Sequence, residues 1–317
     1  MIDDDGSHSV QATSTLLKVD GLKTYFETAN GWIKAVDGVD LALRRGESLA
    51  VVGESGCGKT VLALSLMRLV PSPPGKTVSG KIVFAGHDLL RVDEKRMQSL
   101  RGNRLSMIFQ EPMTSLNPVF RVDEQVAEVL RRHLGISRRE ALERTAELFR
   151  RVGIPEPKRR GRSYPHQLSG GLRQRVMIAM AVACRPDLIL ADEPTTALDV
   201  TLQDQILTLL DGLKQELGTS LILISHDLGI VAQMADRVMV MYAGRVVEQA
   251  PVDVLFEKPA HPYTRGLLAS IPRLTSARSE PLPVIPGQVP NLHDLPRGCS
   301  FQARCPEVME ICRREEP

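Results

Sequence analysis

The sequence predicts an α/β fold built on a mostly parallel sheet, and three observations lead there. Short apolar strands at 48–52, 188–191, 220–224 and 238–241 alternate with helical segments, and strands separated by helices pair in parallel through crossover connections. The first of these strands runs directly into a glycine-rich loop and an apolar helix at 61–69. A second strand ends in two adjacent carboxylates, Asp192 and Glu193.

Taken in order, residues 1–15 carry no hydrophobic period and are expected to form a disordered tail. Strands at 16–19 and 35–43 give a β-rich N-terminal part, and residues 81–84 and 105–109 add further strands rich in β-branched and aromatic side chains. Residues 111–168 change character. Val122, Val126, Val129 and Leu130 recur at helical spacing, as do Leu142, Ala146, Phe149 and Val152. Ser137 and Glu140 are spaced as a capping box, in which each side chain satisfies the other's free backbone N–H. An amphipathic helix is expected over 202–217, between two of the buried strands. Beyond about residue 250 the chain is proline-rich and reads as irregular. The expected organisation is a tail at 1–15, a main domain at 16–250 with a helical subdomain at about 111–168, and a C-terminal extension at 251–317.

Bulk properties exclude several classes. Lys+Arg 40 against Asp+Glu 38 leaves a net charge of +2 over 317 residues, which is not the footprint of a protein that wraps nucleic acid. The longest uncharged apolar stretch, 176–184, is far shorter than the ~20 residues a bilayer span needs. The opening Met1-Ile2-Asp3-Asp4-Asp5 is acidic and does not read as a signal peptide. Any work at a membrane is therefore expected to go through partners. Five cysteines in this length make no disulfide scaffold, and a reducing compartment is expected.

Gly53-Glu54-Ser55-Gly56-Cys57-Gly58-Lys59-Thr60 matches G-x-x-x-x-G-K-[ST]. Glycines let such a loop fold tightly enough for successive backbone N–H groups to point inward at phosphate oxygens. The following helix adds the positive end of its dipole. Lys59 offers a point charge to the β- and γ-phosphates, and Thr60 a hydroxyl to Mg²⁺. The strand 188–191 then places Asp192 to hold Mg²⁺ and Glu193 to polarise an attacking water. By itself that acidic pair reads equally as a solvated turn; beside a phosphate loop it reads as a catalytic pair.

Leu168-Ser169-Gly170-Gly171-Leu172-Arg173-Gln174-Arg175 resembles the signature motif of the ABC ATPases. Ser169 stands where a helix N-cap belongs, and Gly170 and Gly171 open a second phosphate-binding helix terminus. The fifth position is Leu172, where the family most often has Gln. The resemblance implies the fold of an ABC ATPase cassette: a RecA-like phosphate-loop core, a β-rich N-terminal part, a helical subdomain and an irregular C-terminal extension. It implies ATP and Mg²⁺ as ligands, and two cassettes paired head to tail so that each signature closes over the other's ATP. It also assigns further positions. Gln110 resembles the Q-loop glutamine that senses Mg²⁺ and the γ-phosphate. Thr196-Ala197-Leu198-Asp199 resembles the D-loop at the dimer seam, and His226 in Ile224-Ser225-His226-Asp227 the switch histidine. Tyr25 matches the aromatic that stacks on adenine, with Phe26 as a rival.

The chain after residue 15 is similar to the dipeptide and oligopeptide permease branch of that family. Glu111-Pro112-Met113-Thr114-Ser115-Leu116-Asn117-Pro118 carries the likeness, with His261-Pro262-Tyr263-Thr264, Leu267-Leu268 and the run around Pro286-Gly287. Gln167 departs from the usual Glu. Nickel importers share these features, so peptide cargo is the first reading and nickel or another small solute the second. The resemblance implies two transmembrane permease subunits and an external solute-binding protein as partners, with no nucleic acid. The chain would sit peripherally on the cytoplasmic face of the membrane, with residues 111–118 helping to build the cleft for a coupling helix. Soluble ABC proteins of ribosomes or DNA usually carry paired cassettes or long insertions, which are not seen here, and a phosphate-loop kinase would not need residues 168–171. The basic run Lys158-Arg159-Arg160-Gly161-Arg162 faces anionic lipid, nucleic acid or simply water.

The tail holds Cys299, Cys305 and Cys312 within its last nineteen residues. In relatives this region resembles an iron–sulfur site with a fourth cysteine further on, which this sequence does not contain before Pro317. A four-thiolate [4Fe-4S] cluster needs that ligand. The readings left open are such a cluster with another ligand, a zinc site with His293 or a partner residue as its fourth ligand, or three free thiols. In each case the site is expected to lie apart from the nucleotide motifs.

Overall fold

A computed structural model describes residues 15–196, 198–271 and 283–316. Apart from Thr15, the expected tail lies outside them, as does Ala197. In chain order, β1 (Thr15–Thr28), β2 (Gly31–Arg44) and β3 (Ser48–Val52) lead into α1 (Lys59–Leu66). β4 (Gly75–Phe84), β5 (His87–Asp88), α2 (Glu94–Leu100) and β6 (Leu105–Ile108) follow. The helical part comprises α3 (Pro112–Ser115), α4 (Val122–Leu134), α5 (Arg138–Arg151) and α6 (Pro157–Gly161), after which α7 (Gly170–Val182) returns to the sheet. Then come β7 (Leu188–Asp192), α8 (Val200–Leu217), β8 (Ser220–Ile224), α9 (Leu228–Met234), β9 (Arg237–Tyr242) and β10 (Arg245–Pro251). The extension opens with α10 (Val252–Glu257) and α11 (Pro262–Ala269).

Two sheets organise the molecule. One is antiparallel, in the order β2-β1-β4-β5; the other runs β10-β9-β3-β8-β7-β6. In the second sheet β9, β3, β8, β7 and β6 are parallel and only β10 is antiparallel, at the edge. The parallel strands are continuous apolar runs because both of their faces are covered. Along β7, Leu188 and Leu190 join the core shared with the antiparallel sheet and α1. Ile189 and Ala191 face the opposite core, built with α7 and α8. Each such Leu or Ile contributes about 1.5–3 kcal/mol by leaving water.

Several elements differ from their sequence-based expectation. β6 stops at Ile108 and leaves Phe109 37% exposed. The capping box at the start of α5 is half made. Ser137 Oγ accepts from the Glu140 N–H at 3.2 Å, while the Glu140 carboxylate turns outward to Arg144 at 2.8 Å, an i,i+4 pair that competes with the backbone. The extension, expected to be irregular, holds two helices. Pro262 stands at the start of α11, where a missing N–H costs nothing, and His261 Nδ1 accepts from the Tyr263 N–H at 3.1 Å. Tyr263, Leu255 and Phe301 then pack on Val52, Val240 and Tyr242 as a third core. Prolines break periodicity without preventing short helices from docking, and apolar burial against β9 supplies the order that the local pattern lacks. Among the described residues no helix is long and apolar enough to cross a membrane.

Candidate nucleotide site

The site lies where the parallel strands end. β3 pairs with β8, β8 with β7 and β7 with β6, with Asp192 opposite Ile224 and Ile108 opposite Ala191. This register brings the segments after four strands to one edge: residues 53–60, Gln110, Glu193 and His226. Ligands of open α/β sheets bind at such carboxyl ends, where diverging loops leave a crevice.

The glycine-rich loop is shaped by close approach. A Cβ on Gly53 would lie 2.2 Å from the Met241 carbonyl oxygen, and one on Gly58 2.1 Å from the Ala35 oxygen. Only hydrogen fits there, so the loop can draw back against β2 and β9. Gly56 faces open space, Ser55 is exposed, and Cys57 is fully buried beneath the turn, where desolvation pushes its thiol pKa up. Lys59 is 6% exposed, and its ammonium donates to the carbonyls of Gly53 at 2.7 Å and Glu54 at 3.0 Å.

At the first turn of α1, Thr60 Oγ1 donates to Asp192 Oδ1 at 3.2 Å. Asp192 is 2% exposed, and burial raises its pKa; the Thr60 bond and the Lys59 charge oppose that, while the charge of Glu193 adds to it. A desolvated carboxylate beside a hydroxyl, with a second carboxylate next in sequence, suits a divalent cation. Thr60 and Asp192 therefore fit the Mg²⁺ expected of this loop.

Glu193 has φ of 46°, a left-handed conformation that is costly for a residue with a Cβ and is frequently stored at functional sites. Three side chains converge on one of its oxygens, Oε2: Gln110 Nε2 at 3.0 Å, Thr196 Oγ1 at 2.9 Å and His226 Nδ1 at 3.3 Å. Gln174 of α7 donates to the carbonyl of the next residue, Pro194, at 2.5 Å. Thr196 and Gln174 are additions of the structure. Both lie inside recognisable motifs, and nothing local marks the side chain that each one meets.

Ser169 caps α7, accepting from the Leu172 N–H at 3.4 Å, and Asp199 caps α8, accepting from the Leu202 N–H at 2.9 Å. The two caps are neighbours. A Cβ on Gly170 would sit 3.6 Å from Leu198, and one on Gly171 3.3 Å from Leu202. The signature segment thus lies beside the segment leading into α8. Among the described residues none of its hydrogen bonds reaches residues 53–60.

Tyr25 is half-buried on β1, and its hydroxyl donates to Asp37 Oδ1 at 2.6 Å. Burial, then the Asp37 bond and charge, push its pKa up to about 12. Burial works to raise the pKa of Asp37 in turn, but hydrogen bonds from Tyr25 and Arg245 outweigh it and hold the carboxyl below its ordinary value. The Asp37 N–H donates to the Gly244 carbonyl, and the Gly244 N–H to that of Cys57, so two backbone bonds link Asp37 to the glycine-rich loop. Phe26 pairs with Ile33 and Gly75 within the antiparallel sheet.

Residues 36–196 match the family model described as ABC transporter. The chain belongs to the ABC transporter family. Residues 247–312 of this ABC protein match the model described as Oligopeptide/dipeptide transporter, C-terminal region, and its ATPase cassette is of that branch. It is 52% identical over 302 residues to a probable peptide ABC transporter ATP-binding protein of Sinorhizobium fredii, covering 95% of this chain and 90% of the relative. It is 48% identical over 316 residues to the oligopeptide transport ATP-binding protein OppD of Salmonella typhimurium, covering 100% and 93%. Among solved structures, the dimeric ATP-binding cassette MJ0796 bound to ADP and Pi superposes with a TM-score of 0.66 at 26% identity, over 74% of this chain and 98% of that one.

In the tail of this ABC ATPase, among the described residues, no three His, Cys, Asp or Glu side chains are grouped to hold a metal ion. The iron–sulfur expectation for Cys299, Cys305 and Cys312 therefore finds no support, and the zinc alternative fares no better. Cys299 is 7% exposed, and burial, with the nearby Cys312 and Cys305, raises its pKa. Cys305 and Cys312 each accept a backbone N–H within their own turns, from Glu307 and Met309. Cys57 lies under the phosphate loop and Cys184 just beyond α7, so neither supplies a fourth thiolate.

Proposed function

We propose that this chain binds and hydrolyses MgATP as one of two paired cassettes that power a membrane importer for di- and oligopeptides. The observation that carries the chemistry is the convergence of Gln110, Thr196 and His226 on Oε2 of Glu193, beside the Thr60–Asp192 pair. Holding one carboxylate oxygen fixes the side chain and leaves Oε1 to polarise the attacking water. Glu193 is then the general base, and Gln110 and His226 tie its position to the γ-phosphate. The backbone of Gly53 and of residues 55–58 and the ammonium of Lys59 hold the phosphates, and Tyr25 stacks on adenine with its ring edge fixed by Asp37. Thr60, Asp192 and Gln110 would hold Mg²⁺, which would supply positive charge to offset that of the phosphates.

Ser169, Gly170 and Gly171 close over the nucleotide of the partner cassette, with Asp199 at the same seam. That reading is supported by the bonding of the signature segment, which turns toward α8, and by the dimeric state of the solved cassette. Peptide cargo is supported by the C-terminal match at 247–312 and by the names of the relatives, ahead of nickel or another small solute. Two permease subunits would hold the chain at the cytoplasmic face, with an external solute-binding protein delivering cargo. A groove of about 400 Å³ between the core and the helical part, lined by Met67, Leu69, Met107, Phe109, Leu116 and Met180, fits a coupling segment from a permease subunit. Reconstitution with the permease subunits decides the matter. Peptide-stimulated ATP hydrolysis and ATP-dependent peptide accumulation are expected, and stimulation by nickel alone would overturn the cargo assignment.

A further inference from the structure

The C-terminal extension reaches the phosphate loop. Arg304, with a side chain only 4% exposed, sends Nη1 to Glu54 Oε2 at 2.7 Å and Nη2 to Glu54 Oε1 at 3.0 Å. Its Nε donates to the Pro286 carbonyl at 2.9 Å, and its guanidinium lies 5.8 Å from the ring centre of Tyr242 and 5.9 Å from that of Phe301. The Tyr263 hydroxyl, also from the extension, accepts from the Glu54 N–H at 2.8 Å. The Glu54 carbonyl accepts from Lys59 Nζ at 3.0 Å and from the Cys57 N–H at 3.3 Å. Every polar group of Glu54 is thus engaged, its carboxylate and its N–H by residues more than two hundred positions away.

We propose that Arg304 and Tyr263 are positioning residues for nucleotide binding, holding Glu54 and neutralising a carboxylate that the phosphate loop itself carries. The inference rests on residues 53–60 being the MgATP loop. Glu54 is the second residue of a loop whose purpose is to receive a polyanion, and a bare carboxylate there repels phosphate at close range. A bidentate guanidinium removes that repulsion and fixes the plane of the carboxylate, which a single-point cation does less well. Arg304 is itself fixed by the Pro286 carbonyl and two aromatic faces, so the fork is already oriented before nucleotide arrives. Tyr263 turns the Glu54 N–H away from the phosphates, and the carbonyl of the same residue meets Lys59. The extension therefore sets the charge and the shape of the loop while touching no phosphate.

Charge removal in two steps tests this, using the full chain with MgATP as the probe. R304M leaves Glu54 unpaired, and the Kd and KM for MgATP should rise about tenfold, with most of the change in KM rather than kcat. E54Q/R304M removes both charges and should bring the Kd back to within about threefold of the parent. A merely structural role for Arg304 predicts no such rescue, since the second substitution restores no packing. An R304M chain that melts cooperatively and keeps the parental Kd overturns the proposal, as does a double variant no tighter than R304M. Should R304M fail to fold, R304K decides: charge without the fork should weaken binding about threefold, and a parental Kd overturns the need for the bidentate pair. A parent chain that does not bind MgATP would remove the nucleotide-loop reading itself, whereas parental binding left unchanged by R304M removes the clamp alone.

Discussion

Gln110 and Glu193 stand 83 positions apart, yet Gln110 Nε2 donates to Glu193 Oε2 at 3.0 Å across the ends of β6 and β7. Parallel register brings them together: Ile108 lies opposite Ala191, and each strand is followed within two residues by its polar side chain. The proposed base and the glutamine proposed to sense the γ-phosphate therefore share one edge of the sheet. That edge ties the helical part, which starts just after Gln110, to the chemistry.

E193Q is expected to keep MgATP affinity and to lose hydrolysis by about 10²–10⁴-fold, the usual size of a general-base contribution. The amide can still accept from Thr196 and Gln110, so the fold of the edge survives. Nucleotide titration and single-turnover hydrolysis on the same preparation check both halves. Near-parental turnover would take Glu193 out of the role.

S169R is expected to bind ATP as the isolated chain does, and to block closure of the paired cassettes. Gly170 and Gly171 lie against Leu198 and Leu202, and among the described residues the segment makes no hydrogen bond to residues 53–60. Light scattering of an E193Q/S169R chain with ATP, against E193Q alone, reads the pairing. Loss of ATP binding in dilute monomer would refute the trans arrangement.

T60V keeps the size of the side chain and removes the hydroxyl that meets Asp192 Oδ1 at 3.2 Å. A hydrogen bond to a charged group is worth about 1.5–3 kcal/mol, so the affinity for Mg²⁺ in the presence of ATP should fall about ten- to a hundredfold. Binding of ATP in excess chelator should change much less. Equal losses with and without Mg²⁺ would assign Thr60 to loop packing alone.

D37N should lower stability at neutral pH by about 1–3 kcal/mol, because the Arg245 and Tyr25 donors lose their anion. The sign with pH follows from the depressed pKa of Asp37. Its contribution is complete above the ordinary carboxylate value of about 4 and is lost as pH falls through the lower folded value. Melting temperatures of parent and variant should therefore converge below about pH 4. A gap that widens in acid would show that Asp37 is not held as the anion.

Much of the site was legible from one dimension because its parts are local. A phosphate loop must follow a buried strand and open a helix, and residues 48–66 carry that order in their spacing. Asp192 and Glu193 follow a strand, Ser169 and Asp199 precede helices, and the signature is contiguous. The half-made capping box and the two short helices of the extension share a reason. Glu140 had a second partner one turn ahead, and α10 and α11 are held by packing on β9 rather than by periodicity.

What the sequence by itself determined is the family, the strand–loop–helix order and the identity of the side chains at each strand end, since all of these are written in short contiguous patterns. Tertiary structure alone decided which of those side chains meet. It gathered Gln110, Thr196 and His226 on a single oxygen of Glu193, drew Tyr25 onto Asp37, and carried Arg304 and Tyr263 from the extension to Glu54. The expectation that a cysteine site in the tail lies apart from the nucleotide motifs says nothing of Arg304, which stands next to Cys305 and is bonded to residue 54 of the glycine-rich loop. Arginine is ordinarily a surface residue, and nothing in its neighbourhood along the chain marks it as buried. Its partner is fixed only when Tyr242, Phe301 and the Pro286 carbonyl have formed the pocket that holds the guanidinium against Glu54. Those groups come from separate stretches of the chain, and only the folded core brings them together.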